Sequence, residues 1–155
     1  EYVAEAYTTA KYLEWIESSS NFVYGAYTQT GTLTNSASHK GAESLVAYVL
    51  AGPCGLPVPH SVHDPVTLPK AGEIKRIYAH PSTFGSGISA SLLVKAMEWL
   101  RSQQGQSKRD IYLGVYCEND RAQKFYSKYN FEKVAEYDFI VGKQSDREFI
   151  LRNRL

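Results

Sequence analysis

The stretch Arg76-Ile77-Tyr78-Ala79-His80-Pro81-Ser82-Thr83-Phe84-Gly85-Ser86-Gly87-Ile88-Ser89 constrains this chain more than any other. It reads as a strand, a proline stop, a glycine loop and the first turn of a long helix. A glycine loop that opens a helix leaves backbone N–H groups unpaired, and the helix dipole favours an anion there. Glycine lets a phosphate approach the backbone where a side chain would block it. A pyrophosphate, and with it a nucleotide-containing cofactor, is the first expectation.

The chain has 155 residues, the size of one domain with a real core. With 43% hydrophobic and 21% charged residues, it has the balance of an ordinary globular protein. Its formal net charge of +1 supplies no global field for nucleic acid or membrane. No apolar run approaches the ~20 residues of a membrane span. The opening Glu1-Tyr2-Val3-Ala4-Glu5 does not read as a signal peptide. Cys54 and Cys117 are read as free thiols in a reducing, cytoplasmic compartment. The twelve tyrosines are expected on half-buried strand faces.

Apolar spacing predicts a helix within Tyr2 to Ser18, with Thr8 or Thr9 able to cap a restart. Strands are expected over Phe22 to Tyr27, Leu45 to Leu50, Glu73 to Ala79, Ile111 to Tyr116, Phe131 to Val141 and Glu148 to Leu155. Thr28 to Glu43 reads as a polar hairpin loop, and Gly142 to Asp146 as a turn. Five of the six prolines fall between Pro53 and Pro69, which rules out regular structure there. A helix is predicted over Gly87 to Gln104, with Ile88, Ser91, Leu92, Leu93, Val94, Met97 and Leu100 facing inward and Gly105 as its cap. A shorter helix opens at Asn119 or Asp120 and runs through Tyr129. The fold class is α/β: a mixed, mostly antiparallel central sheet flanked by helices in a single domain over residues 1–155.

A second block, Leu113-Gly114-Val115-Tyr116-Cys117-Glu118-Asn119-Asp120-Arg121-Ala122-Gln123-Lys124-Phe125-Tyr126, follows the glycine loop. Together the two blocks resemble the GNAT superfamily of acyl-CoA-dependent N-acetyltransferases. Its Gln/Arg-x-x-Gly-x-Gly/Ala loop holds the coenzyme A pyrophosphate, and its strand with Asn-x-x-Ala-x-x-Phe-Tyr lies beside the pantetheine and supplies a tyrosine. The tail, Phe139-Ile140-Val141-Gly142 with Asp146 to Leu151, and the opening Glu5-Ala6-Tyr7 resemble the branch that includes spermidine/spermine acetyltransferases. Three positions depart from the family pattern. Phe84 stands for Gln or Arg, Ser89 for Gly or Ala, and Asn130 for a glycine, where asparagine tolerates left-handed backbone. The family's first strand and helix have no counterpart in the chain as read, and an uncovered sheet edge would suit a homodimer.

The resemblance implies acetyl-CoA as cosubstrate and a primary amine, of a small molecule or a peptide, as acceptor. Gly85, Ser86, Gly87, Ile88 and Ser89 are expected to present backbone N–H groups to the pyrophosphate, and Phe84, at the loop's start, is counted with them among the cofactor-binding residues. The backbone of Ile77, Tyr78 and Ala79 is expected to pair with the pantetheine arm. Tyr126, beside Phe125, is the expected proton donor to the departing sulfur, since a phenol pKa of ~10 lies above the ~8.5 of a thiol. Glu73 is the candidate base, on the condition that burial raises its pKa. Asn119 either holds the cofactor or caps its helix. Arg121, Lys124 and Lys128 read as a solvated helix face from which one could reach the 3′-phosphate. Glu14, Glu17, Glu118 and Asp138 read either as scattered surface acids or as acids that attract a cationic amine. His80 is expected to be structural, and His60, His63 and Asp64 match no metal spacing. A non-catalytic acyl-CoA-binding domain is the alternative. A dinucleotide module lacks its three-glycine fingerprint here.

Overall fold

The computed structural model describes residues 8–29, 43–62, 71–103, 110–141 and 144–154. The elements follow the expected order: α1 (Thr9–Glu17), β1 (Phe22–Gln29), β2 (Glu43–Pro53), β3 (Gly72–Ala79), α2 (Ile88–Gln103), β4 (Ile111–Tyr116), α3 (Asp120–Ser127), β5 (Phe131–Val141) and β6 (Gln144–Asn153). Thr8 caps α1, its side chain accepting from the Lys11 amide. The expected caps and loops at Gly105, at residues 30–42 and at residues 63–70 lie outside the described residues, as do the first seven positions.

One six-stranded sheet has the order β1-β2-β3-β4-β6-β5. Every neighbouring pair is antiparallel except β3 with β4. That parallel pair is joined through α2, the crossover a parallel pair requires. β6 inserts between β4 and β5, so the final hairpin closes the sheet from the far side. β6 begins at Gln144 rather than Glu148, because Asp146, Ser145 and Gln144 pair in register with Phe139, Ile140 and Val141.

The core lies between one face of the sheet and α2. Val49, Leu93, Ala96, Ile111 and Leu113 are buried there with Leu92, Met97 and Leu100. Complete burial of one such aliphatic side chain contributes about 1.5–3 kcal/mol. α2 buries Leu92, Leu93, Ala96, Met97 and Leu100. Val94 and Ser91, expected on the inner face, instead turn outward. A stripe through 92/93, 96/97 and 100 already faces the sheet, and positions 91 and 94 fall on its margin. Between α3 and β5, Asn130 adopts φ 60°, the left-handed backbone its residue type tolerates. Asn153 is buried behind that turn. Its amide donates to the Tyr129 carbonyl at 2.7 Å, and its Oδ1 accepts from Arg101 at 3.2 Å. No helix among the described residues is long and apolar enough to cross a membrane.

Candidate active site

β3 and β4 run parallel, but their ladder covers only Gly72↔Ile111 and Glu73↔Tyr112. Past those two rungs the strands part, β3 running on beside β2 to Ala79 and β4 beside β6 to Tyr116. Each then feeds a helix on the core side, so the gap opens at the carboxyl ends of two parallel strands, where open α/β sheets bind ligands.

The orientation of the β3 backbone across that gap follows from its other neighbour. The His80 amide donates to the Val46 carbonyl, at 2.7 Å, on the β2 side. Backbone groups alternate along a strand. The amides of Ile77 and Ala79 therefore turn away from β2, toward the gap, whereas the Tyr78 backbone turns to β2. The expectation for the Tyr78 backbone is corrected accordingly; it is the half-exposed Tyr78 side chain that reaches the site. A bulge at Lys75, where Leu50↔Arg76 gives way to Ala51↔Ile74, shifts the register just before the gap.

On the core side of the gap lies a cavity of about 570 Å³. Ile77, Tyr78 and Ala79 line it, with Phe84, Gly85, Gly87, Ser89, Asn119, Phe125 and Tyr126, so ten of the expected site residues come together there. Gly85 and Gly87 have φ +83° and +84°, and a Cβ at either would meet nothing within 4 Å. The loop therefore needs glycine for its backbone and leaves open space above it. Among the described residues, the amides of Gly85, Gly87 and Ser89 have no protein acceptor. Two of the expected donors behave otherwise. The Ser86 amide donates to the Thr83 carbonyl at 3.1 Å, and the Ile88 amide faces the Ser86 hydroxyl at 3.4 Å. Ser86 is the loop's internal brace, its hydroxyl donating to the Thr83 carbonyl at 2.6 Å. The Ile88 side chain packs against the core.

α3 forms the opposite wall. Asn119 caps it, Oδ1 accepting from the Ala122 amide at 3.0 Å, while the residue also lines the cavity. Both expected roles are compatible with this geometry. The Tyr126 ring is wedged edge-on between Phe125 and Phe131, at 5.2 and 5.9 Å between centroids. Burial pushes its hydroxyl up to about 12, so the phenol keeps its proton across the physiological range. Arg121 lies over the face of Phe84 at the rim, its guanidinium carbon 3.9 Å from the ring centroid. Lys128 also lines this cavity.

The opposite face of the sheet carries a second cavity, of about 520 Å³, lined by Leu56, Glu73, Lys75, Tyr78, Gly114, Tyr137, Phe139 and Glu148 among others. Tyr78 borders both cavities. Glu73 lies here, its carboxylate accepting from the Gly55 amide at 2.7 Å and from Lys75 at 3.3 Å. Glu148 accepts from the Tyr137 hydroxyl at 2.6 Å and lies over Gly114, where a Cβ would come 2.7 Å from its Oε2. Sequence reading missed Glu148 and Tyr137. Only the β5–β6 register, which sets Tyr137 against Glu148, brings that pair to the site. Trp15 of α1 approaches the same face, beneath the Arg76 guanidinium at 4.3 Å.

His80 has the expected structural role, Nδ1 accepting from the Ser82 amide at 3.2 Å at the start of a 3₁₀ turn. No group of three or more His, Cys, Asp or Glu suited to a metal occurs among the described residues. His63 and Asp64 lie outside them. Cys54 and Cys117 are free, and burial pushes the Cys54 thiol up to about 11.

Comparison with known proteins places these cavities in context. The profile of the Acetyltransferase (GNAT) family matches residues 2–131. An uncharacterized N-acetyltransferase from the pepI 3′ region of Lactobacillus delbrueckii subsp. lactis is 30% identical over 91 residues, 56% of this chain and 49% of that protein. An uncharacterized N-acetyltransferase of Mycobacterium bovis is 28% identical over 83 residues, 54% of this chain and 51% of its own length. The chain thus spans about half the length of the curated relatives it matches. Among solved structures, the PaiA N-acetyltransferase of Thermoplasma acidophilum in complex with coenzyme A is similar at TM-score 0.66 and 18% identity, covering 99% of this chain and 76% of that one. Arabidopsis thaliana NAA60 in complex with a bisubstrate analogue is similar at TM-score 0.71 and 15% identity, covering 96% and 84%.

Proposed function

Because the chain belongs to the acetyltransferase (GNAT) family, we propose that it transfers an acetyl group from acetyl-CoA directly to a primary amine. The observation that carries this reading is the gap past Glu73↔Tyr112, which has a cavity on each face and Tyr78 bordering both. The cavity with the glycine loop takes the coenzyme. Its pyrophosphate lies against the free amides of Gly85, Gly87 and Ser89, and its pantetheine pairs with the outward backbone of Ile77 and Ala79. The thioester then sits in the gap, and the acceptor enters from the other face.

The reaction needs no covalent enzyme intermediate. The acceptor ammonium loses a proton on the face where Glu73 and Glu148 lie, with Glu73 the base expected from sequence. The neutral amine attacks the thioester carbonyl. An amide of the β3 backbone near Ile77 stabilises the oxyanion. The C–S bond breaks as the carbonyl re-forms, the new amide nitrogen loses its second proton to solvent water, and the Tyr126 hydroxyl donates a hydrogen bond to the departing sulfur, which leaves as the thiolate. The acceptor cavity mixes carboxylates with the rings of Tyr78, Tyr137 and Phe139, a lining that supports a cationic amine. Polyamines, aminoglycosides, amino acids and peptide N-termini are therefore the classes to screen. The free thiols support the cytoplasmic compartment expected from sequence.

The test is turnover. The chain is incubated with acetyl-CoA and each amine class, with free thiol and acetylated product mass read together. A product of mass increased by one acetyl group, lost in Tyr126→Phe while coenzyme binding persists, supports the reading. Coenzyme binding without product from any class favours the non-catalytic acyl-CoA-binding domain.

A further inference from the structure

We propose that Arg121, held on the ring of Phe84, is the side-chain anion anchor of the glycine-loop cavity and clamps the coenzyme's pyrophosphate. This rests on the coenzyme reading above.

Phe84 is 50% exposed at the cavity rim, an unusual place for a phenylalanine. The Arg121 guanidinium covers it, 3.9 Å from guanidinium carbon to ring centroid. Stacking on a ring face fixes the plane of a guanidinium but uses none of its N–H groups, which point outward along its edges. Among the described residues Arg121 makes no ion pair or hydrogen bond. A pre-oriented arginine with its donors uncommitted therefore stands at the same rim as Gly85 and Gly87, whose amides also lack acceptors. The two donor sets complement each other. The loop offers backbone dipoles, and Arg121 offers a full charge and a planar fork that matches two phosphate oxygens. Phe84 is the positioning residue, acting through Arg121 rather than on the ligand. The same stack accounts for an apolar side chain at the start of an anion-binding loop: the donor comes from α3, across the cavity, instead of from the loop itself.

The commitment to the pyrophosphate separates this site from one for the 3′-phosphate. Dissociation constants are measured by calorimetry for wild type, Arg121→Ala, Arg121→Gln, Phe84→Ala and the Phe84→Ala/Arg121→Ala double variant, each with coenzyme A and with dephospho-coenzyme A. Arg121→Ala and Arg121→Gln should weaken both ligands by the same factor, on the order of 10–100-fold, as loss of charge-assisted hydrogen bonds implies. Phe84→Ala should weaken both less, and the double variant should bind no worse than Arg121→Ala alone. Melting without ligand should be unchanged, since both side chains lie at the rim. Unaltered affinity in both Arg121 variants, or a loss confined to the ligand carrying the 3′-phosphate, overturns the assignment. Additive losses in the double variant overturn the positioning role of Phe84. A wild-type chain that binds neither ligand defeats the coenzyme reading itself, and this inference falls with it.

Discussion

Replacing Gly87 with alanine separates two costs that usually arrive together. Its φ of +84° is one that an L side chain rarely adopts, yet nothing lies within 4 Å of the added Cβ. The loss of stability is therefore backbone strain alone, about 1–2 kcal/mol. For a domain of this size each kcal/mol lowers the melting midpoint by roughly 2–4 °C. Coenzyme binding should suffer more. A methyl group over the loop holds a phosphate off the backbone amides, and loss of a hydrogen bond to a charged group costs about 1.5–3 kcal/mol, or roughly 10–150-fold in affinity. Gly72→Ala is the matched control. Its Cβ would come 2.9 Å from Leu100 Cδ2 in the core, so it should lower stability by about 1–3 kcal/mol through overpacking. It should leave the coenzyme dissociation constant within about twofold, because such distant effects are near-additive. Melting curves without ligand and calorimetric titration with coenzyme A, run on both variants, give the four numbers required. A Gly87→Ala protein that melts early yet binds coenzyme A like wild type would refute the cradle.

Three further outcomes follow from the same geometry. Tyr126→Phe should lower kcat by roughly 100-fold or more with coenzyme affinity retained, read by steady-state kinetics beside calorimetry. Burial raises both Tyr126 and Tyr112 to about 12, so the folded state holds those protons more tightly than the unfolded chain. Their contribution is complete below pH ~10 and is lost as pH rises through about 12, so urea midpoints should fall across that window, with a shallower fall in Tyr126→Phe. Asn153→Leu strands the Tyr129 carbonyl and the Arg101 donor, so urea unfolding should show a loss of about 1–3 kcal/mol.

Much of this architecture is legible in local chemistry. The glycine loop, the Asn119 cap, the left-handed Asn130 and the element order all follow from residue type and spacing, which act over a few positions. What escaped depends on pairing between distant strands. Nothing near Tyr78 in the sequence tells which way its backbone turns; the His80–Val46 hydrogen bond decides that. Glu148 and Tyr137 are 11 positions apart and meet only because the β5–β6 hairpin closes in that register. The Phe84–Arg121 stack crosses from one helix entrance to the other, and in sequence reads as a lost donor and a solvated cation.

On the proposed reading, the glycine-loop cavity takes an acyl-CoA. Calorimetric titration of the wild-type chain with acetyl-CoA, with NAD titrated in parallel, tests it most directly. Saturation of one site per chain by acetyl-CoA, with no heat of binding from NAD, is expected. Absence of acetyl-CoA binding, or equal binding of NAD, would contradict it.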